Sequence, residues 1–429
     1  MSRTVVPISR RDFLTSAGFG AAGLAAGLSM TSRRGFAADQ PVAASLADWF
    51  ASPAFDQFVQ EKMAAAHVPG CSIAIVHDGK LLRTAGYGWA NLDAKRPMRP
   101  GTLLNIASVT KTLTCTAVMQ LQEQGKFQLD DPINRYLPFA IHNPKYPDMV
   151  LTVRQLLTHT SSISDGPAYE ESYACGDPTV VLRDWLRDYF VPGRALYKAN
   201  KNFGAWRPGQ KHHYSNVAYG VLGLLIESAS GMPYTEYVAT NIFRPLGMVH
   251  SRFLLAGMPA EAHATPYSYI ENERASKVPL LDPTWKVPDG KVTQQVPHCL
   301  FSFATPADGM ARTSANELVR VMLAYMHGGR FDGVQLLRPE TVAQILTDQH
   351  VVFDDKEARH AAQGLTWFTS KLADDDGTIW GHSGGDPGVV TYMGFRPADQ
   401  RGLVILTNSS DSGAVRDVAK AVFGKQPVV

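Results

Sequence analysis

The chain has 429 residues, of which 45 % are hydrophobic, so it can fill a sizeable core in one or two domains. The formal net charge is +2, and the first 38 residues carry five arginines against one aspartate, which leaves the rest of the chain close to neutral. A near-neutral body without a long run of one charge lacks the basic surface that nucleic-acid binding requires.

The first 38 residues have the features of an export signal. Arg10 and Arg11 precede a soft apolar stretch, SAGFGAAGLAAGLSM, and small residues follow in GFAADQ. This pattern resembles a twin-arginine signal over residues 1–38, with an unstructured tail as the alternative. It predicts transient contact with the twin-arginine export machinery and a periplasmic or secreted mature protein over 39–429. No later run reaches 18 apolar residues, so we expect no stable membrane span.

The first predicted elements are two antiparallel strands followed by a helix. The segment CSIAIVHDGKLLRTAGYGWANLD alternates apolar and polar residues on either side of Asp78-Gly79, a pair typical of a two-residue hairpin turn. A helical pattern then runs from Ser108 to Gln124 and ends at Gly125. This helix is apolar nearly all round, which predicts that it is buried.

The rest of the chain predicts helices first and strands last. Residues 130 to 300 contain short helical patterns, TVRQLLTHT and VAYGVLGLLIESASG, with loops between them and no strong strand. A helix in TSANELVRVMLAYMHGG is followed by four strand-like segments, GLTWFTSKL, TIWGHSGG, VVTYMGFRP and RGLVILTNS. We therefore expect an α/β (α+β) fold, with an antiparallel sheet flanked by helices. The sheet would come from about 39–107 and 300–429, and a mainly helical region from about 108–299.

The four cysteines give little guidance on redox chemistry or metal binding. Cys71, Cys115, Cys175 and Cys299 have no C-x-x-C spacing, and the histidines do not cluster at metal-ligand intervals. Cys71 and Cys115 lie in apolar patterns that predict buried thiols. One disulfide is possible in an oxidising compartment, but the sequence leaves its pairing open. We predict neither a metal nor an organic cofactor.

The first candidate catalytic motif is Ser108-x-x-Lys111 at the start of the predicted helix. Residues i and i+3 share a helix face, so the hydroxyl and the amine can approach each other. If that face is buried, desolvation favours a neutral amine that can take a proton from the serine. The alternative is an ordinary N-capping serine followed by a surface lysine.

Two further motifs carry polar groups suited to the same chemistry. In Tyr214-Ser215-Asn216, the tyrosine can act as a base if cations stabilise its phenolate, and the Asn216 amide can hold a substrate amide. In GHSGGDPG, residues 381–388, Gly384 and Gly385 allow close approach to a strand edge, and a backbone N–H there can stabilise an oxyanion. His382 could donate to a substrate carboxylate or carbonyl. Alone, these segments also fit a packing tyrosine and a glycine-rich hairpin.

In the order S-x-x-K, Y-x-N and H-S-G, the three motifs resemble the serine penicillin-recognising hydrolases. That family includes class C β-lactamases, soluble DD-carboxypeptidases, esterases and D-amino-acid amidases. The resemblance extends over almost the whole mature chain, through segments such as LDDPINRYLP, TVRQLLTHTS and IFRPLGM. It implies a β-lactamase/transpeptidase-like fold and a small-molecule or peptide substrate, and it leaves the oligomeric state open.

The resemblance also implies a role for each motif residue. Ser108 would form an acyl-enzyme, while Lys111 and Tyr214 would share the proton transfers. Asn216 would hold the substrate amide, and the backbone N–H groups of Ser108 and Gly385 would form the oxyanion hole. His382, Ser383 and Gly384 would line the substrate site at the sheet edge.

Two departures from the family pattern bear on the substrate and on a local turn. The β-lactamases of this family have a lysine at the position of His382, and histidine is largely neutral near pH 7. The sequence therefore favours a DD-peptidase, D-amino-acid amidase or carboxylesterase over a true class C β-lactamase. Many relatives have glycine where this chain has Ser162, which leaves the turn there open.

Other readings of the sequence are possible but less well supported. GHSGG fits a nucleophile elbow centred on Ser383, but no histidine follows His382, as that fold requires. A chymotrypsin-type serine does not fit the helical patterns. A non-catalytic penicillin- or peptidoglycan-binding module would not need all of Ser108, Lys111, Tyr214 and Asn216. His159 is read as a structural residue in its turn, and the sequence leaves open whether His212 and His213 line the cleft.

Overall fold

A computed structural model describes residues 45–353, 362–370 and 377–425. The predicted signal over residues 1–38 lies outside the described residues. In the described part of the chain, no helix has both the length and the apolar character needed to cross a bilayer.

The centre of the structure is a seven-stranded antiparallel sheet with the strand order β12-β13-β14-β15-β1-β2-β3. The strands in chain order are β1 Gly70–His77, β2 Lys80–Asn91, β3 Arg96–Pro97, β4 Leu104–Asn105, β5 Ala174–Cys175, β6 Tyr267–Glu273, β7 Val292–Pro297, β8 Phe301–Ser302, β9 Arg312–Thr313, β10 Arg330–Phe331, β11 Val334–Gln335, β12 Phe368–Ser370, β13 Ile379–Asp386, β14 Val389–Arg396 and β15 Arg401–Thr407.

The first hairpin forms where the sequence predicts it. Asp78 and Gly79 both have positive φ, 49° and 69°, and the strands close on the pair His77 and Lys80. Two successive left-handed residues give a turn whose twist matches that of the flanking strands. This turn fixes which residues of β1 face each side of the sheet.

The sheet is assembled from both ends of the described chain, as predicted. Strand β1 pairs antiparallel with β15, with Cys71 opposite Thr407, and β13, β14 and β15 pair in sequence order. Because β1 lies between β15 and β2, neither terminal part can complete the sheet alone.

Helices cover both faces of the sheet, and further helices form the helical region beside it. The α-helices of the described residues are α1 Leu46–Phe50, α2 Pro53–Ala65, α3 Thr110–Glu123, α4 Val153–Leu157, α5 Pro167–Glu170, α6 Leu182–Phe190, α7 Ala199–Asn202, α8 Asn216–Ser230, α9 Tyr234–Val238, α10 Pro306–Gly309, α11 Ala315–Met326, α12 Pro339–Ile345 and α13 Gly413–Phe423. In β1, Ile73 and Ile75 belong to a core shared with α2 and α13, whereas Ala74 and Val76 face the core of the helical region. This alternation lets one strand support two cores.

Helix α3 lies in the middle of the larger core. Eleven of its fourteen residues are buried, which confirms the burial predicted from its apolar pattern. A short 3-10 helix, Ala107–Val109, precedes it, so the helical segment begins close to the predicted Ser108. Strand β13 packs against this 3-10 helix, and the sheet and the helical region meet there.

The prediction that residues 130–300 contain no strong strand is wrong. Strands β6 and β7 form an antiparallel pair, with Tyr267 opposite Pro297 and Ile270 opposite Gln294. A long connection, which includes the short helix Ala275–Lys277, separates them. The sequence therefore has no tight-turn signal to mark the pair.

The structure resolves the pairing that the sequence left open for the cysteines. Cys175 and Cys299 form a disulfide, while Cys71 and Cys115 are free and buried, as predicted. The bond lies beside the short pair β5–β8, in which Cys175 is opposite Phe301. It ties the loop after α5 to the segment that leads into α10.

Candidate active site

Ser108 lies in the 3-10 helix at the entrance to α3, on a backbone held in an unusual conformation. The preceding residue, Ala107, has φ +46°, and its N–H donates to Asn105 Oδ1 at 2.6 Å. A left-handed non-glycine residue costs of order 1–3 kcal/mol and persists where surrounding structure enforces it. Ser108 itself is half-buried, whereas its neighbours Ala107 and Val109 are buried.

Lys111 is fully buried one turn later, and its amine lies close to oxygen atoms of Ser108, Asn216 and Asp308. Its Nζ lies 3.1 Å from Ser108 Oγ, 2.7 Å from Asn216 Oδ1 and 2.7 Å from the backbone oxygen of Asp308. The last two oxygens can only accept hydrogen bonds, whereas a serine hydroxyl can also donate. In the neutral amine, two N–H groups would serve the two acceptors, and the lone pair would face Ser108. This is the geometry of a nucleophile beside its base.

Tyr214 brings its aromatic ring to the same amine. Lys111 Nζ lies 5.0 Å from the centroid of the Tyr214 ring and 5.3 Å from that of Tyr219, distances at which both rings would stabilise the ammonium that forms when the amine takes up a proton. The structure therefore places Ser108, Lys111, Tyr214 and Asn216 around one point, although the motifs are separated by about a hundred residues.

His159 packs against one face of the Tyr214 ring. The two rings stack with centroids 4.2 Å apart, and His159 Nδ1 accepts a hydrogen bond from the Ser215 N–H at 3.1 Å. Burial lowers the pKa of His159 well below its usual 6.5, and the nearby His212 and Lys111 lower it further. The imidazole is therefore neutral at physiological pH. His159 lies in a turn, as the sequence predicts, and it packs directly against Tyr214, a candidate catalytic residue.

The two histidines before Tyr214 occupy different environments. His212 is buried and packs against His159, Phe353 and Phe368, whereas His213 is half-buried beside Trp206. The described residues contain no group of three His, Cys, Asp or Glu side chains placed to hold a metal ion.

Strand β13 forms the opposite wall, and Gly384 permits its close approach to the serine. A Cβ at Gly384 would lie 2.5 Å from the Ile106 oxygen and 3.0 Å from Ala107 Cβ. Thr391 on β14 ties the same carbonyl to the sheet, because its Oγ1 donates to the Ile106 oxygen at 2.8 Å. Gly385, the predicted oxyanion-hole residue, follows directly on this wall.

Side chains alternate along β13, so the predicted substrate residues divide between its faces. Gly384 and His382 lie on the side that meets the 3-10 helix, whereas Ser383 points away and is exposed. Ser383 lies in mid-strand, paired with Tyr392 of β14, and not in a strand-to-helix elbow. This placement gives no support to Ser383 as a nucleophile.

His382 is buried and differs from the donor expected from sequence. Its Nδ1 lies 2.7 Å from the Ser383 carbonyl oxygen, which can only accept, so Nδ1 carries the proton of the neutral ring. Burial, together with the charge of Lys111, lowers the pKa of His382 to about 3. Nε2 is then an acceptor, buried without a hydrogen-bond partner among the described residues.

Asp165 is a site residue that the sequence analysis missed. Its Oδ2 accepts from the backbone N–H and the Nδ2 of Asn216, each at 2.9 Å, while Oδ1 accepts from Ser215 Oγ and the Val217 N–H at the same distance. The only sequence signal is its residue type, since carboxylates favour helix N-termini. The first residue of the helix that it caps, Asn216, is 51 positions away.

Ser162, where many relatives have glycine, adopts the conformation that glycine favours. Its φ is +64°, and Asn143 Nδ2 donates to its hydroxyl oxygen at 2.9 Å. Left-handed backbone costs a residue with a Cβ about 1–2 kcal/mol, and a buried hydrogen bond offsets part of that. The turn is therefore formed despite the substitution.

Comparison with known proteins identifies the family. The profile described as Beta-lactamase matches residues 55–423, which is most of the chain. The protein belongs to the beta-lactamase family. Members of this family are serine hydrolases, and the antiparallel sheet flanked by helices is the fold that the family shares.

Relatives of this beta-lactamase family member include protein flp and a penicillin-binding protein. Protein flp of Staphylococcus aureus strain COL is 26 % identical over 356 residues, which is 82 % of this chain and 62 % of that protein. Penicillin-binding protein 4* of Bacillus subtilis strain 168 is 24 % identical over 386 residues, 86 % of this chain and 76 % of that protein. The chain thus spans less than two thirds of the length of protein flp.

Solved structures with the same fold include a binding protein and an amidase. An octameric penicillin-binding protein homologue from Pyrococcus abyssi has a TM-score of 0.67 and 26 % identity, and the match covers 87 % of this chain and 78 % of that one. The D-amino acid amidase from Ochrobactrum anthropi SV3, solved with D-phenylalanine, has a TM-score of 0.65 and 23 % identity over 88 % of this chain and 98 % of that one. At this identity the second likeness shows the fold alone.

Proposed function

We propose that this protein is an exported serine hydrolase that cleaves an amide or ester bond through an acyl-enzyme at Ser108. The observation that carries the proposal is the position of the buried Lys111 amine, 3.1 Å from Ser108 Oγ, with two acceptor oxygens at 2.7 Å. Few arrangements other than proton transfer explain a buried lysine directed at a half-exposed hydroxyl.

Acylation would begin with transfer of the Ser108 proton to Lys111 Nζ as Oγ forms a bond to the substrate carbonyl carbon. The negative charge would then develop on the carbonyl oxygen, where the N–H groups of Ser108 and Gly385 would stabilise it. When the bond to the leaving group breaks, Lys111 and Tyr214 would deliver the proton to its nitrogen or oxygen. In deacylation, water would add to the acyl carbon and lose a proton to the same groups. The bond from that carbon to Ser108 Oγ would then break, Oγ would take up the proton, and the acid would leave.

The substrate favoured by the site is a peptide-like or ester acyl donor over a β-lactam. His382 replaces the lysine that would give a β-lactam carboxylate a fixed positive charge, and its low pKa keeps the ring neutral. The motif Y-S-N together with H-S-G favours an amide of a D-amino acid or a D-Ala-D-Ala peptide, with carboxylesters as the other candidates. Two alternatives remain. A true β-lactamase would turn over a β-lactam such as nitrocefin, whereas a non-catalytic binding module would turn over none of the substrates.

Labelling with an active-site probe tests the nucleophile. Wild-type protein should react covalently with a fluorophosphonate and with a fluorescent penicillin, and Ser108→Ala should react with neither. Ser383→Ala is the matched control, because that serine is exposed on the other face of β13 and should keep the label. Labelling that persists in Ser108→Ala would refute the assignment.

A substrate panel then separates the activities. Nitrocefin, a short-chain p-nitrophenyl ester, a D-Ala-D-Ala peptide and a D-amino acid amide should be compared on one preparation. Release of D-alanine or ammonia would support the peptidase or amidase, and turnover of the ester alone would support an esterase. Acylation without turnover of any of them would favour the binding module.

Export is proposed from the sequence and is supported by the disulfide. The Cys175–Cys299 bond is of the kind that persists in oxidising compartments. Cell fractionation of the full chain and of a variant with Arg10→Lys and Arg11→Lys tests it. The wild type should leave the cytoplasm and the variant should remain there; equal distributions would contradict the twin-arginine route.

A further inference from the structure

We infer that Asp165 is a positioning residue that fixes the orientation of the Asn216 amide and, through it, directs the Lys111 amine at Ser108. This inference rests on the proposed function, because it concerns the acylation step at Ser108. Asp165 lies in the loop between α4 and α5, and no motif in the sequence includes it.

The carboxylate of Asp165 has a full set of acceptor contacts. It is half-buried and receives four hydrogen bonds of 2.9 Å, two from backbone N–H groups of α8, one from Ser215 Oγ and one from Asn216 Nδ2. An ionised carboxylate can only accept. Every partner therefore has to present a donor to it.

This requirement decides which way the Asn216 amide faces. Its oxygen and nitrogen ends have nearly the same shape, so packing alone distinguishes them weakly. With Nδ2 held by Asp165 at 2.9 Å, Oδ1 is on the opposite side, 2.7 Å from Lys111 Nζ. The reverse orientation would set the amide oxygen against the carboxylate and two donors against each other at Lys111.

The amide orientation in turn decides what the lysine lone pair meets. With Oδ1 facing it, the neutral amine can donate one N–H to Asn216 and one to the Asp308 carbonyl, which lets it direct its lone pair at the Ser108 hydroxyl. With Nδ2 facing it, the amide would donate to that lone pair and compete with Ser108. Asp165 thus influences proton transfer without contacting Ser108, Lys111 or the substrate.

Asp165 also caps α8, and the test has to separate the two roles. Its bonds to the N–H groups of Asn216 and Val217 satisfy two free donors of the first turn, which stabilises the helix. Loss of this cap would lower the melting temperature whatever residue 216 is. Loss of amide orientation, in contrast, requires the Asn216 side chain.

A double-mutant cycle between Asp165→Ala and Asn216→Ala makes this distinction. The acylation rate is followed through its analogue, phosphonylation of Ser108 by a fluorophosphonate probe with release of fluoride, over hours for the slow variants. The melting temperature is recorded in parallel. Asp165→Ala should slow acylation by roughly ten- to a hundredfold in the wild-type background, since one hydrogen bond to a charged group is lost. In the Asn216→Ala background the same change should alter the rate by less than about twofold, while the melting temperature falls in both.

Two further variants serve as controls. Asp165→Asn keeps the size and one acceptor oxygen, so it should slow acylation less than Asp165→Ala, and it replaces that variant in the cycle if the alanine protein does not fold. Ser52→Ala removes the N-cap of α2, where Ser52 Oγ accepts from the Phe55 N–H, far from the site. It should lower the melting temperature and leave the acylation rate unchanged.

The outcomes distinguish this inference from the proposed function. Equal rate losses from Asp165→Ala in the two backgrounds would overturn the positioning role, as would a wild-type rate in the single variant. If the wild-type protein does not acylate at all, the proposed function fails first. A rate loss confined to the background that contains Asn216 supports the inference.

Discussion

Replacing Cys175 and Cys299 together by alanine should lower the free energy of unfolding by about 2–5 kcal/mol. The two cysteines are 124 positions apart, and in the chain-entropy model a loop of this length gives about 5 kcal/mol at 25 °C. Measured effects usually fall below this limit, since the unfolded chain is not a random coil. Alanine keeps the backbone pairing of β5 with β8, so the change acts mainly on the unfolded state.

Scanning calorimetry and chemical denaturation measure the effect. With an unfolding entropy of about 2.1 cal/mol/K per residue, a chain of this size should lose roughly 3–6 °C in melting temperature. Cys71→Ala is the matched control, because it removes a buried free thiol and closes no loop. Reduction with dithiothreitol should bring the wild type to the melting temperature of the double variant and leave that variant unchanged.

One result would refute this reasoning. If the double variant and Cys71→Ala unfold at the same midpoint, and reduction leaves the wild type unaffected, then the closed loop contributes nothing measurable. The pairing of β5 with β8 would then hold the two segments without the covalent bond.

Three further predictions concern the site and its pH dependence. Lys111→Ala should slow phosphonylation of Ser108 by the fluorophosphonate probe by several orders of magnitude, because it removes the proton acceptor; near-normal labelling would exclude that role. Gly384→Ala should lower both the melting temperature and the acylation rate, since its Cβ would lie 2.5 Å from the Ile106 oxygen. Gly101→Ala, which has space for a Cβ, should lower neither the melting temperature nor the rate. The free energy of unfolding should fall as the pH drops below about 6.5, because the unfolded chain takes up protons that the buried imidazoles exclude. The imidazoles concerned are those of His159, His263, His298 and His382. Each should contribute a slope of up to about 1.4 kcal/mol per pH unit, and a free energy of unfolding by urea that stays constant from pH 7 to 4 would contradict this prediction.

The parts of the fold that the sequence predicted are those with local signals. Asp78-Gly79 marks one turn and alternation marks its strands, while the all-round apolar character of α3 marks a buried helix. The β6–β7 pair has no such signal, because its two strands are joined by a long connection. Its pairing depends on contacts distant in sequence, which residue patterns do not encode.

The same distinction applies to the candidate site. Ser108 and Lys111 are one helical turn apart, so their proximity could be predicted, and the structure bears it out. The contact of Asp165 with Asn216 spans 51 positions, and in the sequence a single loop aspartate looks like any solvent-exposed aspartate. Which ring nitrogen of His382 carries the proton depends on its burial and on the Ser383 carbonyl, neither of which the sequence specifies. The catalytic roles themselves stay predictions until the variants are measured.

Because β1 lies between β15 and β2, the site around Ser108 is complete only after the last strands have been synthesised. Ser108 follows the first strands, whereas Gly385 lies on β13, and the sheet joins them only through the pairing of β1 with β15. During synthesis, a ribosome would release the nucleophile, the base and the tyrosine long before the strand that faces them. Contacts of such long range form slowly. A partly made chain would therefore hold a serine and a lysine but no second wall, and reactivity would arise only with the finished sheet.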